Sequence, residues 1–141
     1  MSSYSVAVFG GGSVGLCLAA HFAKAGARVH LLVRRSSMDA LHDQPIAVSG
    51  LLGDHLIPAD AYTVCDAAAP TDDVLGCDML VLTTKAYDVE KALTPFAEKQ
   101  RCPPILLLQN GLGSAEIARQ VVGPTVPLYS SAMMIGMVRH S

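Results

Sequence analysis

Four places in this chain carry residue types that chemistry could use: the hexapeptide Gly10-Gly11-Gly12-Ser13-Val14-Gly15, the basic pair Arg34 and Arg35 followed by Ser36, the lone Lys85, and the dipeptide Asn110-Gly111. In the hexapeptide, Gly10 permits a tight turn, Gly12 lets backbone N–H groups approach a pyrophosphate, and Gly15 allows a helix to pack closely on a sheet. A helix opening at Ser13 and Val14 would then turn its positive dipole end toward the phosphates. Arg34 and Arg35 stand where a carboxylate would otherwise accept a ribose 2′-hydroxyl. A guanidinium at that place pairs with a 2′-phosphate through two hydrogen bonds, so the pattern favours NADP(H) over NAD(H). Lys85 brings a cation to the start of an expected helix, where the dipole disfavours it by roughly 0.3–1 kcal/mol and an anionic partner would offset the penalty. The Asn110 amide can donate to and accept from a ribose or a substrate carbonyl, although Asn-Gly is also a common turn dipeptide.

The elements that would position these residues can be read from hydrophobic periodicity. Ser5–Phe9 is a short valine-containing apolar run, residues 14–25 place Gly15, Leu18 and Phe22 on one helical face, Gly26 supplies a stop, and Arg28–Val33 is again strand-like. Together they spell a parallel βαβ unit, the context in which a GxGxxG loop becomes informative. Ser37 is expected to cap a short helix over 38–42, and 46–49 with 55–58 to form a small hairpin. A short strand is expected at 63–65 and a fully buried one at 79–83. Val89, Ala92, Leu93 and Phe96 recur with helical spacing, and Pro95 is expected to kink or end that helix. A buried strand over 105–108, a helix from a Ser114 cap to about Val122, and a last strand at 126–130 complete a doubly wound, mostly parallel, Rossmann-type α/β sheet with helices on both faces. In this scheme the glycine loop, the Arg34 cluster, Lys85 and Asn110 all sit at carboxyl ends of strands. His21, mid-helix, and His30, within a strand, read as structural.

Size and composition narrow the function further. A chain of 141 residues with 51% apolar content suits one well-buried domain. Residues 1–130 are expected to form it, and 131–141 to begin a connection onward. A formal charge of -2 with no basic stripe argues against nucleic acid as a partner. The four cysteines are scattered without CxxC or histidine-pair spacing, which excludes a zinc motif and suggests buried thiols in a reducing compartment. No positively charged start precedes the apolar amino terminus, and Pro124 and Pro127 interrupt the uncharged stretch near the other end, so a cytoplasmic protein without a membrane span is expected. Exposure of the apolar stretch 132–138 would favour self-association.

The segments VAVFGGGSVG at 6–15, Arg34, LTTKAYDVEKAL at 82–93 and LLLQNGLG at 106–113 together resemble the amino-terminal domain of the ketopantoate reductase family, also called 2-dehydropantoate 2-reductase. The resemblance covers almost the whole chain. It implies NADPH-dependent reduction of 2-dehydropantoate to pantoate, a step toward pantothenate and coenzyme A. It also implies that Arg34 contacts the 2′-phosphate, and that Lys85 and Asn110 line the cleft near the nicotinamide and the 2-keto acid. The family's principal catalytic lysine and a substrate-binding glutamate come from a second, helical domain with no counterpart here, so this chain alone is expected to bind cofactor with little turnover. A related NADP-dependent hydroxyacid dehydrogenase and a stand-alone NADP-binding sensor are the competing readings.

Overall fold

The computed structural model describes residues 4–51, 53–108 and 113–131. The chain runs β1 (Ser5–Phe9), α1 (Ser13–Lys24), β2 (Arg28–Val33), α2 (Arg35–Leu41), β3 (Ile46–Val48), β4 (His55–Ile57), β5 (Tyr62–Asp66), α3 (Asp72–Leu75), β6 (Met79–Leu82), α4 (Val89–Glu98), β7 (Ile105–Leu107), α5 (Ser114–Val122) and β8 (Leu128–Ser130). Among the described residues one six-stranded sheet has the order β5-β2-β1-β6-β7-β8, and each of its neighbouring pairs is parallel. The chain moves outward from β1 through β2 to β5, then returns to β6 on the other side of β1 and moves outward again. The order therefore reverses between β1 and β6, which opens a crevice at their carboxyl ends. β3 and β4 form the separate antiparallel hairpin expected from the sequence.

Apolar side chains alternate between two cores, one on each face of the sheet. Along β1, Val6 and Val8 join the core that holds Ala19 and Ala20 of α1, whereas Ala7 joins the one that holds Leu93 and Phe96 of α4 and Ala118 of α5. Burial on both faces explains why β1, β2 and β6 read as continuous apolar runs.

The sequence expectations need correction at four places. Of the kink or end expected at Pro95, the end is not found, since α4 continues to Glu98. The proline's missing N–H costs about 3 kcal/mol, but burial of Val89, Leu93 and Phe96, all at 0% exposure, contributes roughly 1.5–3 kcal/mol each and prevails. Ser37 is no cap: the chain turns as soon as it leaves β2, with Ser37 N donating to Arg34 O at 2.8 Å, so α2 opens at Arg35 and Arg34 is its N-cap. Ser114 is the first residue of α5 rather than its cap, because Gly113 takes that place with φ +99°, a left-handed entry that suits glycine. The one-turn α3, which the periodicity did not show, is capped by Thr71, whose Oγ1 accepts from Val74 N at 3.4 Å.

His30 lies within β2 at 7% exposure. Burial holds its imidazole below the ordinary value of 6.5, Arg28 adds to the effect, and Asp73 opposes it. The unfolded chain therefore takes up this proton near pH 6.5 while the native chain still resists it, so stability falls as pH drops through that window. Melting temperatures recorded from pH 8 to pH 5 should fall less for His30→Asn than for the wild type. Parallel curves would show that His30 is not responsible.

Candidate functional site

The glycine loop joins β1 to α1 at the point where the sheet order reverses. Gly10 has φ +123°, its N–H donates to Leu32 O at 2.9 Å, and a Cβ there would run into Thr83 Oγ1. That hydroxyl donates to Phe9 O at 2.7 Å and ties the end of β6 to the end of β1. At Gly11 a Cβ would stand 2.9 Å from Val33 Cγ1 and 3.3 Å from Leu41 Cδ1, a packing requirement that the motif itself does not announce. At Gly15 it would collide with the carbonyl oxygen of Gly10. The close approach expected there between helix and sheet is thus an approach of α1 to the turn that launches it.

Gly12 differs from these three. Its φ of -79° is open to any residue, and a Cβ would meet nothing within 4 Å. The described residues give no reason for glycine at this position, and among them the space beside it lies open before the N-terminus of α1. No side chain caps that helix and its first turn holds no acidic residue. The amides of Ser13, Val14 and Gly15 therefore start a helix whose positive end is uncompensated among the described residues.

Around this loop the strand registers place the other sequence-nominated residues. Phe9 pairs with Leu32 on one side and with Leu82 on the other. Arg34 and Lys85, which follow those two strands, consequently flank the loop at the same edge of the sheet. Arg34, Arg35 and Lys85 are all exposed, and none has an acidic partner among the described residues. Lys85 is not at the start of α4: it precedes a single 3₁₀ turn, Ala86–Asp88, and the α-helix opens at Val89 with Asp88 as its N-cap. Asn110 lies outside the described residues, as does the apolar stretch 132–138. Thr83 is the residue at the site that sequence reasoning missed, since its role depends on a hydrogen bond across the sheet.

The groups that could compete for a reactive role are quiet. Burial pushes the Cys77 thiol up to about 11 and the Cys102 thiol up to about 12, and it raises Cys17 and Cys65 as well. All four cysteines are free, but only Cys77 is buried; the others are half-buried, short of the full burial expected. His21 shares its Nδ1 with Cys17 O at 2.8 Å inside α1. Among the described residues no cluster of three His, Cys, Asp or Glu side chains could hold a metal ion, and no helix is long and apolar enough to cross a membrane. A cleft of about 280 Å³ between the ends of α4 and α5, lined by Phe96, Arg101, Cys102 and Val126, lies at the opposite edge, before β7 and β8. None of the site residues reaches it.

A parallel six-stranded sheet with helices on both faces, a glycine turn and an uncapped helix at the reversal of strand order define a Rossmann-type α/β domain. Residues 6–141 match the family model described as Ketopantoate reductase PanE/ApbA, and the chain belongs to that family. It is 28% identical over 116 residues to the 2-dehydropantoate 2-reductase of Pyrococcus horikoshii, a match that covers 82% of this chain and 36% of the relative. In fold it is similar to the 2-dehydropantoate 2-reductase of Methylococcus capsulatus, with TM-score 0.67, 24% identity, and coverage of 97% of this chain and 43% of that one. It is also similar to D-mandelate dehydrogenase solved with NADH and anilino(oxo)acetate, with TM-score 0.73, 20% identity, and coverage of 92% and 40%. The chain thus spans about a third of the curated relative's length and well under half of either structure's.

Proposed function

We propose that this chain is the NADPH-holding domain of a cytoplasmic 2-dehydropantoate 2-reductase. The observation that carries the reading is the open space at Gly12 in front of the uncapped α1, a cradle that a Cβ would fill and an anion would complete. The residues fit a dinucleotide: the loop Gly10 to Gly15 holds the pyrophosphate, and Arg34, with Arg35 beside it, pairs with the 2′-phosphate. When bound, the reduced nicotinamide supplies the hydride that converts the 2-keto group of the acid to an alcohol. Lys85 stands at the carboxyl end of β6, and Asn110 follows β7 in sequence. Their ammonium and amide groups favour the negative charge that grows on the carbonyl oxygen as hydride arrives. Membership of the ketopantoate reductase family supports the substrate assignment.

Calorimetric titration of the 141-residue chain tests the cofactor choice. NADPH should bind more tightly than NADH, and Arg34→Ala should weaken NADPH by roughly 10-fold or more, the order lost with a charge-assisted pair. NADH, which lacks the 2′-phosphate, should lose less. Equal affinities for the two cofactors in the wild type, or an unaltered preference in the variant, would defeat the assignment.

A further inference from the structure

We infer that Tyr87 is the platform on which the purine ring of the bound dinucleotide stacks, across the crevice from Arg34. The inference rests on the cofactor reading above and adds a residue to it. Three large aromatic side chains stand exposed among the described residues: Tyr4 at 48%, Tyr87 at 82% and Tyr129 at 55%. Tyr4 precedes β1, at the amino end of the sheet, and Tyr129 is on β8, the far edge strand. Tyr87 alone borders the edge that carries the glycine loop.

Its support is firm, which makes the exposure informative. Tyr87 sits in the 3₁₀ turn Ala86–Asp88, closed by Asp88 N donating to Lys85 O at 2.9 Å. Directly after it, Val89 is buried at 0% exposure in the core beneath α4. Before it, Thr83 bonds twice to Phe9 O, through its N–H at 3.1 Å and its hydroxyl at 2.7 Å. The turn is therefore tied to the strand that leads into the glycine loop. A ring held in water on such a turn forgoes the burial that an aromatic side chain of 150–250 Å² would otherwise gain.

Spacing across the sheet matches a flat ligand. β2 and β6 flank β1 as its two neighbours, and at roughly 4.8 Å per strand their ends stand about 10 Å apart. A flat ring contacted on both faces at 3.5–4.0 Å needs about 7–8 Å between the contacting groups. A guanidinium from the β2 side and a phenol ring from the β6 side can close that gap, and both are groups that stack on nucleobases.

The probe is adenosine 2′,5′-bisphosphate, which carries the purine and the 2′-phosphate without the nicotinamide. Its affinity is measured by calorimetry for the wild type, Tyr87→Ala, Tyr87→Phe and Arg34→Ala. The chain has no tryptophan, so tyrosine emission gives a second readout that a merely structural role would not move. Tyr87→Ala should bind roughly 5- to 150-fold more weakly, the range that loss of one base stack produces. Ligand quenching of tyrosine emission, present in the wild type, should disappear in both Tyr87 variants, whereas Tyr87→Phe, which keeps a stacking ring, should keep its affinity. Because the side chain is exposed, the melting temperature should not move. A Tyr87→Ala chain that keeps its affinity or its quenching, while Arg34→Ala is weakened, overturns the platform and leaves the cofactor reading standing. Failure of the wild type to bind the probe overturns both.

Discussion

Replacing Gly15 by alanine is expected to lower the melting temperature by roughly 5–10 °C, even though alanine is the better helix former. Two effects oppose each other. Gly15 lies within α1, where alanine gains about 1 kcal/mol over glycine from propensity. Its Cβ, however, would overlap the Gly10 carbonyl oxygen, with Thr83 Oγ1 only 3.1 Å away. Overpacking costs about 1–3 kcal/mol where side chains can adjust. Here the obstacle is a backbone carbonyl in a turn whose residue has φ +123° and whose N–H is bonded to Leu32 O, so the upper end of that range or more applies. Relief would require α1 to move off the sheet and would open the core around Ala19 and Ala20, both essentially unexposed. A thermal unfolding curve superimposable on the wild type would show that the loop can yield.

That contest is invisible in the motif. The spacing of Gly10, Gly12 and Gly15 was legible, and so were β1, β2, β6 and β7, because strands buried on both faces leave uninterrupted apolar runs. The pairing of β3 with β4 was legible from the glycines between them. Packing decided where the reading failed. Pro95 is tolerated because the face formed by Val89, Leu93 and Phe96 is locked into the core, a sum no local rule contains. Ser114 lost its place as a cap because the chain enters α5 through a left-handed glycine, and a buried serine hydroxyl is left without a partner among the described residues. Of the site, the glycines, Arg34 and Lys85 were nominated from sequence and the sheet brings them to one edge. Thr83 was not nominated, since its hydrogen bond joins strands whose adjacency follows from topology, and Gly11 was nominated for the ligand with no sign of its crowding against Val33 and Leu41.

Gly12→Ala should produce the opposite outcome to Gly15→Ala: an unfolding curve close to the wild type and a loss of NADPH binding of roughly 10- to 100-fold. The backbone at Gly12 is extended with φ -79°, which alanine adopts freely, and beyond its chain neighbours no atom of the described residues lies within 4 Å of the added carbon. As an N-cap, alanine is poorer than glycine by about 0.5–1 kcal/mol. The unfolded chain loses a similar amount of freedom, so the two nearly cancel. Binding is another matter, because the added methyl occupies the space through which the amides of Ser13, Val14 and Gly15 would reach the pyrophosphate. Hydrogen bonds to a charged partner contribute about 1.5–3 kcal/mol each, and holding the anion back by one methyl radius forfeits at least one of them. If Gly12→Ala bound NADPH as tightly as the wild type, the pyrophosphate would have to lie elsewhere, and the uncapped end of α1 would need another explanation. Together the two variants separate the roles within one motif: Gly15 answers to the fold, and Gly12 answers to the ligand.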